Sequence, residues 1–134
     1  MIVVDTNTIA YLYLTSSWTP QSEQVFLKDP DWAAPLLWRS EFCNVLALYI
    51  RKKLLSLEEA LLVMEEATNL ILGREYTVAP SQVLSLTSMS NCSAYDCEFI
   101  SLAKELDIPL ITNDKQILEQ FPDIAVSLEK FATQ

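Results

Sequence analysis

The sequence predicts an α/β protein built on a mainly parallel sheet. Three observations carry that expectation. Short apolar runs of strand length are interleaved with longer segments of helical periodicity. Runs such as Ile2-Val3-Val4 and Pro109-Leu110-Ile111 are continuous rather than alternating, as in strands buried on both faces. Both of these runs close on polar residues that lead into a helical pattern, Asp5-Thr6-Asn7 after one and Thr112-Asn113-Asp114 after the other.

The elements follow in order. Ile2 to Val4 is the first strand, and Asn7 to Leu14 a short helix after it. Thr15 to Pro20 is polar and turn-like. Gln21 to Lys28 reads as a helix with Val25 and Phe26 inward, ended by Asp29-Pro30-Asp31, and Trp32-Ala33-Ala34-Pro35 as the second strand. A strong helix runs from Leu37 to about Lys53, with Glu41, Val45 and Leu48 at i, i+4 and i+7 of its apolar face. Ser56-Leu57-Glu58-Glu59 is a capping box opening a helix to about Leu72, with Gly73 placed as its C′ residue. Glu75 to Val78 is the third strand, closed by Pro80, and Ser81 to Met89 a short helix. Ser93 opens a helix to about Leu106 on which Asp96, Ile100 and Ala103 share the apolar face. Ile108 to Thr112 is the fourth strand, Lys115 to Gln120 a short helix, and Ile124 to Val126 a short last strand.

Composition narrows the chemistry. A chain of 134 residues, 51% hydrophobic, is expected to be one globular domain spanning 1–134. Net charge is −9, from nine basic and eighteen acidic residues, which argues against broad non-specific nucleic-acid binding. Arg51, Lys52 and Lys53 form the one basic cluster, fitted either to a helix dipole or to RNA phosphates. Gly73 is the sole glycine, so neither a P-loop nor a dinucleotide fingerprint can be built. The absence of histidine removes imidazole acid–base chemistry and argues against zinc. Cys43, Cys92 and Cys97 are expected as buried or semi-buried free thiols. With no signal peptide pattern and no apolar run of membrane length, the expected location is cytoplasmic, with no membrane partner.

Against that background four acids stand out: Asp5, Glu41, Asp96 and Asp114. Each has an ordinary structural explanation at a helix start, as a cap, a first-turn acid or an N3 residue. Together they are harder to dismiss. Two follow apolar strands and two share the apolar face of a helix, where a carboxylate is costly unless something neutralises it. A divalent cation with hard oxygen ligands does so, and Mg²⁺ or Mn²⁺ is the expected class. Thr and Asn beside such acids can support ligands and waters. An aspartyl phosphatase built on Asp5-Thr6-Asn7-Thr8 is a weaker fit, because Asn7 cannot protonate a leaving group.

The segments Ile2-Val3-Val4-Asp5-Thr6-Asn7, Ser40-Glu41-Phe42-Cys43-Asn44-Val45-Leu46, Ser93-Ala94-Tyr95-Asp96 and Leu110-Ile111-Thr112-Asn113-Asp114, in this order across nearly the whole chain, resemble the PIN-domain ribonucleases. Within them the chain looks most like VapC-like toxins of bacterial toxin–antitoxin pairs. Many relatives have a small residue where Cys97 stands, and relatives often carry more basic surface. The resemblance implies a three-layer α/β/α sandwich. It also implies metal-dependent endonucleolytic hydrolysis of RNA, leaving a 5′-phosphate and a 3′-hydroxyl. It places Asp5, Glu41, Asp96 and Asp114 around one or two Mg²⁺ or Mn²⁺ ions, with Thr6, Asn7 and Thr112 in support. A homodimer and an antitoxin partner are implied too, and Trp18, Trp32, Trp38, Tyr49 and Phe26 are candidates for such surfaces or for the core. The alternative expectation is a catalytically degenerate binding or assembly module of the same fold.

Overall fold

The sheet takes its order from its most apolar strand. Ile2, Val3 and Val4 of β1 (Ile2–Val4) are all buried, and β1 sits at the centre. In this computed structural model of residues 1–134 the strand order is β3-β2-β1-β4-β5 and every pairing is parallel. The remaining strands are β2 (Trp32–Pro35), β3 (Glu75–Tyr76), β4 (Leu110–Ile111) and β5 (Ala125–Val126). The helices are α1 (Thr6–Tyr13), α2 (Thr19–Lys28), α3 (Leu37–Arg51), α4 (Leu57–Ile71), α5 (Pro80–Ser88), α6 (Ala94–Leu106), α7 (Lys115–Gln120) and α8 (Leu128–Thr133).

Right-handed crossovers put the helices of the β1–β2 and β2–β3 connections on one face and those of the β3–β4 connection on the other. Accordingly α1 to α4 pack among themselves, while α5 packs on α6 and α6 lies across β1, β2 and β4. This is the expected α/β/α arrangement. The chain steps outward from β1 to β2 and β3, then returns to place β4 on the other side of β1. That reversal leaves a crevice beyond the carboxyl ends of β1 and β4, where open α/β sheets bind their ligands.

Several boundaries differ from the sequence reading. The third strand stops at Tyr76, because its partner stops at Pro35 where α3 is about to begin. The fourth starts at Leu110, since Pro109 has no N–H to offer the ladder. Helix α2 starts at Thr19, inside the segment read as a turn, with Pro20 in the first-turn position that proline suits. Helix α8 has no counterpart in the sequence reading: Ser127 caps it, accepting from the Lys130 N–H at 3.2 Å. Lys28 Nζ closes its far end by donating to the Phe131 carbonyl at 2.6 Å.

The apolar face assigned to α3 is also corrected. Its buried stripe is Trp38, Phe42 and Leu46, one position away from Glu41, Val45 and Leu48. Leu48 is 46% exposed and Val45 only partly buried against the core, so that second stripe runs along the edge of the core. On α6 the expected face holds, with Ile100 and Ala103 buried. Trp32 and Trp38 are core residues, their indole N–H groups donating to the Asp29 carbonyl and to Glu75 Oε2, both at 2.8 Å. Trp18 remains exposed. Cys92 and Cys97 are buried free thiols, whereas Cys43, on the outer side of α3, is exposed.

Candidate active site

Asp5 follows β1 directly and keeps its extended backbone, φ −81° and ψ 168°, which makes it the N-cap of α1. Its Oδ1 accepts the Thr8 N–H at 2.9 Å and the Thr8 hydroxyl at 2.6 Å. From the neighbouring strand end the Thr112 hydroxyl donates to its Oδ2. Three of the four acceptor positions of the carboxylate are therefore filled, and one on Oδ2 is left. The Thr112 oxygen also accepts the Asp114 N–H at 3.0 Å, so one hydroxyl links the Asp5 carboxylate to the backbone of Asp114.

Asp114 caps α7 by accepting the Ile117 N–H on Oδ1 at 3.0 Å, and its Oδ2 is free. Glu41, in the first turn and a half of α3, accepts the Thr6 hydroxyl on Oε1 at 2.7 Å. Asp96 is the N3 residue of α6; its N–H donates to the Ser93 cap at 3.1 Å. Each of the four acids thus keeps at least one acceptor position unoccupied.

All four line one cleft of about 430 Å³, together with Thr6, Asn7, Ser40, Asn44 and Tyr95. No lysine or arginine is among the lining residues. The acids feel one another. Burial is the main cause of a raised pKa at Asp5; the bonds from Thr112 and Thr8 oppose it, and the charge of Asp114 adds to it. Burial likewise raises Glu41, against the Thr6 bond, and the charges of Asp96, Asp5 and Glu98 raise it further. Asp96 is raised by burial and then by Asp114. Glu98 itself opens on a separate apolar cleft, beside Leu36, Tyr76 and Val83, as its two-residue offset from Asp96 requires.

The donor set suits a hard divalent cation: four carboxylates with free oxygens, mutual repulsion and no cationic side chain to relieve it. No three of the acids close into a ready-made coordination cage. The residues fit the ion chemically.

Asn7 lines the cleft with its side chain free of hydrogen bonds, and Thr112 acts from behind Asp5 rather than from the lining. Arg51, Lys52 and Lys53 stand outside, at the far end of α3. Sequence reasoning misses Thr8, although it is fully buried and gives Asp5 two of its three bonds. The available signal is its place three residues after a capping aspartate. Asn44 carries a similar signal, one helical turn after Glu41 on the same face.

The family model for the PIN domain matches residues 2–124. The chain belongs to the PIN-domain family. Ribonuclease VapC3 of Pyrobaculum aerophilum is 27% identical over 124 residues, spanning 90% of this chain and 95% of that protein. Among solved structures, PAE2754 from Pyrobaculum aerophilum matches with a TM-score of 0.77 at 16% identity, over 98% of this chain and 86% of its own. A toxin–antitoxin complex from Klebsiella pneumoniae gives 0.72 at 14% identity, over 96% and 98%. FitAcB from Neisseria gonorrhoeae gives 0.71 at 19% identity, over 95% and 96%. At these identities the solved structures establish a shared fold. The PIN fold here is thus recognised twice, by sequence pattern and by shape.

Proposed function

We propose that this PIN domain, a single unit over 1–134, is a divalent-metal-dependent endoribonuclease and acts as the toxin of a toxin–antitoxin pair. One observation carries the proposal: carboxylates from four separate segments face one cleft at the switch point of the sheet, with no cation among them. A phosphodiester is repelled by such a cleft, so catalysis there calls for a bound cation. The name of the Pyrobaculum relative supports ribonuclease activity, and the toxin–antitoxin complex among the structural matches supports an antitoxin partner. A homodimer and a cytoplasmic location complete the reading. No helix is long and apolar enough to cross a membrane.

Asp5 and Asp96 are assigned as direct ligands of one or two Mg²⁺ or Mn²⁺ ions. Glu41 ligates directly or through water, and Asp114 ligates or orients a water. A divalent cation held there supplies Lewis acidity toward a phosphate oxygen and toward attacking water. The protein's own part is positional. Thr8 and Thr112 hold the Asp5 carboxylate and Thr6 holds Glu41, which leaves each acid a free oxygen position toward the cleft. Asn7 is exposed beside them and available to a substrate or a water. Hydrolysis by direct water attack leaves a 5′-phosphate and a 3′-hydroxyl.

The test is cleavage of a mixed cellular RNA pool by the purified protein in millimolar Mn²⁺ or Mg²⁺. Cuts ending in 5′-phosphate, abolished by chelation and by Asp96→Asn in a folded protein, are expected. A folded, metal-loaded protein that cuts no RNA in the pool overturns the assignment in favour of a binding module.

A further inference from the structure

The second stripe of α3 has a continuation. Glu41 and Val45 line the cleft, Leu48 is 46% exposed, and Lys52 follows at the helix end. These positions are i, i+4, i+7 and i+11, one face of a helix. The face that opens as the wall of the acidic cleft therefore runs out along the surface to Lys52, with Arg51 and Lys53 on either side in sequence. At about 1.5 Å per residue, the eleven steps from Glu41 to Lys52 cover roughly 16 Å. That length matches about five stacked nucleotides at ~3.4 Å each, and fewer in an extended strand.

The cations at that end are free. Of the nine basic residues, Arg39 is paired with Glu75, while Arg74 and Lys28 are held by backbone carbonyls. Arg51, Lys52 and Lys53 are exposed, with neither an ion pair nor a side-chain hydrogen bond. Capping the helix does not account for them. The end of α3 is a Schellman turn made by the backbone: the Lys53 N–H donates to the Ile50 carbonyl at 3.0 Å and the Leu54 N–H to the Tyr49 carbonyl at 2.9 Å. Lys53 occupies its left-handed position, φ 60°, where glycine is the residue the backbone favours. A side chain there works against the turn, and it adds a third charge where the helix dipole is already complemented.

We infer that the outer face of α3 is a track for single-stranded RNA, leading from the acidic cleft to a phosphate-binding end formed by Arg51, Lys52 and Lys53. It rests on the ribonuclease reading of the cleft and extends it to the substrate: an unpaired strand reaching several nucleotides beyond the cut on one side. The cleft repels phosphate and the chain is strongly acidic. A localised cationic anchor at a distance gives the strand its hold and its direction. Leu48, between the two, offers an apolar surface for a base.

The experiment compares two RNAs sharing one cut site, one trimmed to about two nucleotides on each side and one with about six. Wild type is expected to have the lower KM on the long RNA, and trimming from one side alone is expected to remove that advantage. In the variant Arg51→Ala/Lys52→Ala/Lys53→Gly the preference for the long RNA collapses. The slope of log affinity against log salt becomes shallower by about 0.7 for each phosphate that the variant no longer neutralises. Lys53→Gly by itself suits the turn, so its partial effect is read in a securely folded protein, and Lys52→Arg restores the salt slope of Lys52→Ala. If wild type cuts RNA while the triple variant keeps both length preference and salt slope, the track is wrong and the ribonuclease reading stands. An unchanged RNA response with altered self-association likewise overturns it, reassigning the cluster to a protein contact. If wild type neither cuts nor binds RNA, the ribonuclease reading falls and takes the track with it.

Discussion

Two strand ends meet at the switch point, built from the same residue types, and they differ in what they do with them. Asp5-Thr6-Asn7-Thr8 follows β1, and Thr112-Asn113-Asp114 follows β4. Both aspartates cap a helix by accepting the N3 N–H, Asp5 from Thr8 at 2.9 Å and Asp114 from Ile117 at 3.0 Å. Asp5 also takes two hydroxyls, one from its own helix and one from the neighbouring strand end, and burial raises its pKa. Asp114 is exposed and takes one bond. The order of residues explains the contrast. On the central strand the aspartate comes first, so a threonine from the first turn folds back on it. On β4 the threonine comes first, and its hydroxyl proton goes to Asp5. Capping is common to both acids; enclosure makes one an anchor and leaves the other adjustable.

The largest predicted effect follows from removing the anchor's charge. Asp5→Asn is expected to lower RNA cleavage by about 10²–10³-fold, the scale of losing a preorganised electrostatic group. Mn²⁺ is expected to raise the Tm of the wild type by binding the folded state, and Asp5→Asn is expected to abolish that rise. Asp114→Asn is expected to lose less activity and to keep part of the Mn²⁺ response. Calorimetry with and without Mn²⁺, beside single-turnover cleavage, measures both. Equal losses at the two positions break the distinction between anchor and adjustable acid.

A milder probe leaves both acids in place. Thr112→Val removes the hydroxyl that joins the two ends, so Asp5 loses a donor and the Asp114 N–H loses an acceptor. The expected cost is about 10–100-fold in activity, as for other groups that support ligands. Stability should drop by about 1–3 kcal/mol, the cost of unsatisfied buried groups. Urea titration and cleavage rates check the pair. Thr112→Ser, which keeps the hydroxyl, is expected to recover most of both.

Without metal, pH probes the buried acids of the cleft. Asp5, Glu41 and Asp96 have pKa values raised above their ordinary range, chiefly by burial. Between the unfolded and folded values the folded state binds more protons, so stability falls as pH rises. The favourable contribution is whole below the unfolded pKa and is lost as pH rises through the folded one. Glu75, lowered chiefly by its bond from Arg39, works in the opposite sense and only below the usual glutamate range. Metal-free protein is therefore expected to resist urea better near pH ~5 than near pH ~7, with Mn²⁺ shrinking the difference. Asp5→Asn should remove part of this slope, and Asp114→Asn should lessen it by taking away a charge that raises Asp5 and Asp96.

The fold and the four acids are legible in the sequence because both depend on local pattern. Continuous apolar strands, the Ser56 capping box and Gly73 at φ 80° are each decided by a few adjacent residues. The partners of Asp5 are only half legible. Thr112 stands out beside Asp114, but its bond spans 107 positions and exists because β4 lies next to β1. The face of α3 is misassigned from sequence for a related reason. Two apolar stripes run along that helix, Trp38-Phe42-Leu46 and Val45-Leu48, and periodicity alone does not say which meets the sheet. Tertiary packing chose the larger side chains for the core and turned Glu41 toward the cleft.

The smallest effect isolates capping from everything else at the adjustable end. Asp114→Ala removes the acceptor for the Ile117 N–H and is expected to cost about 1 kcal/mol, the ordinary value of an N-cap. Asparagine caps as well as aspartate, so Asp114→Asn should leave metal-free stability within a few tenths of a kcal/mol. It also relieves Asp5 and Asp96 of a repelling charge, which works in favour of the folded state. Any activity that Asp114→Asn loses is then attributable to the carboxylate's role toward ion or water, because the helix start survives. An asparagine variant as unstable as the alanine one shows instead that the negative charge itself holds this corner, and Asp114 then belongs with Asp5 among the fixed acids.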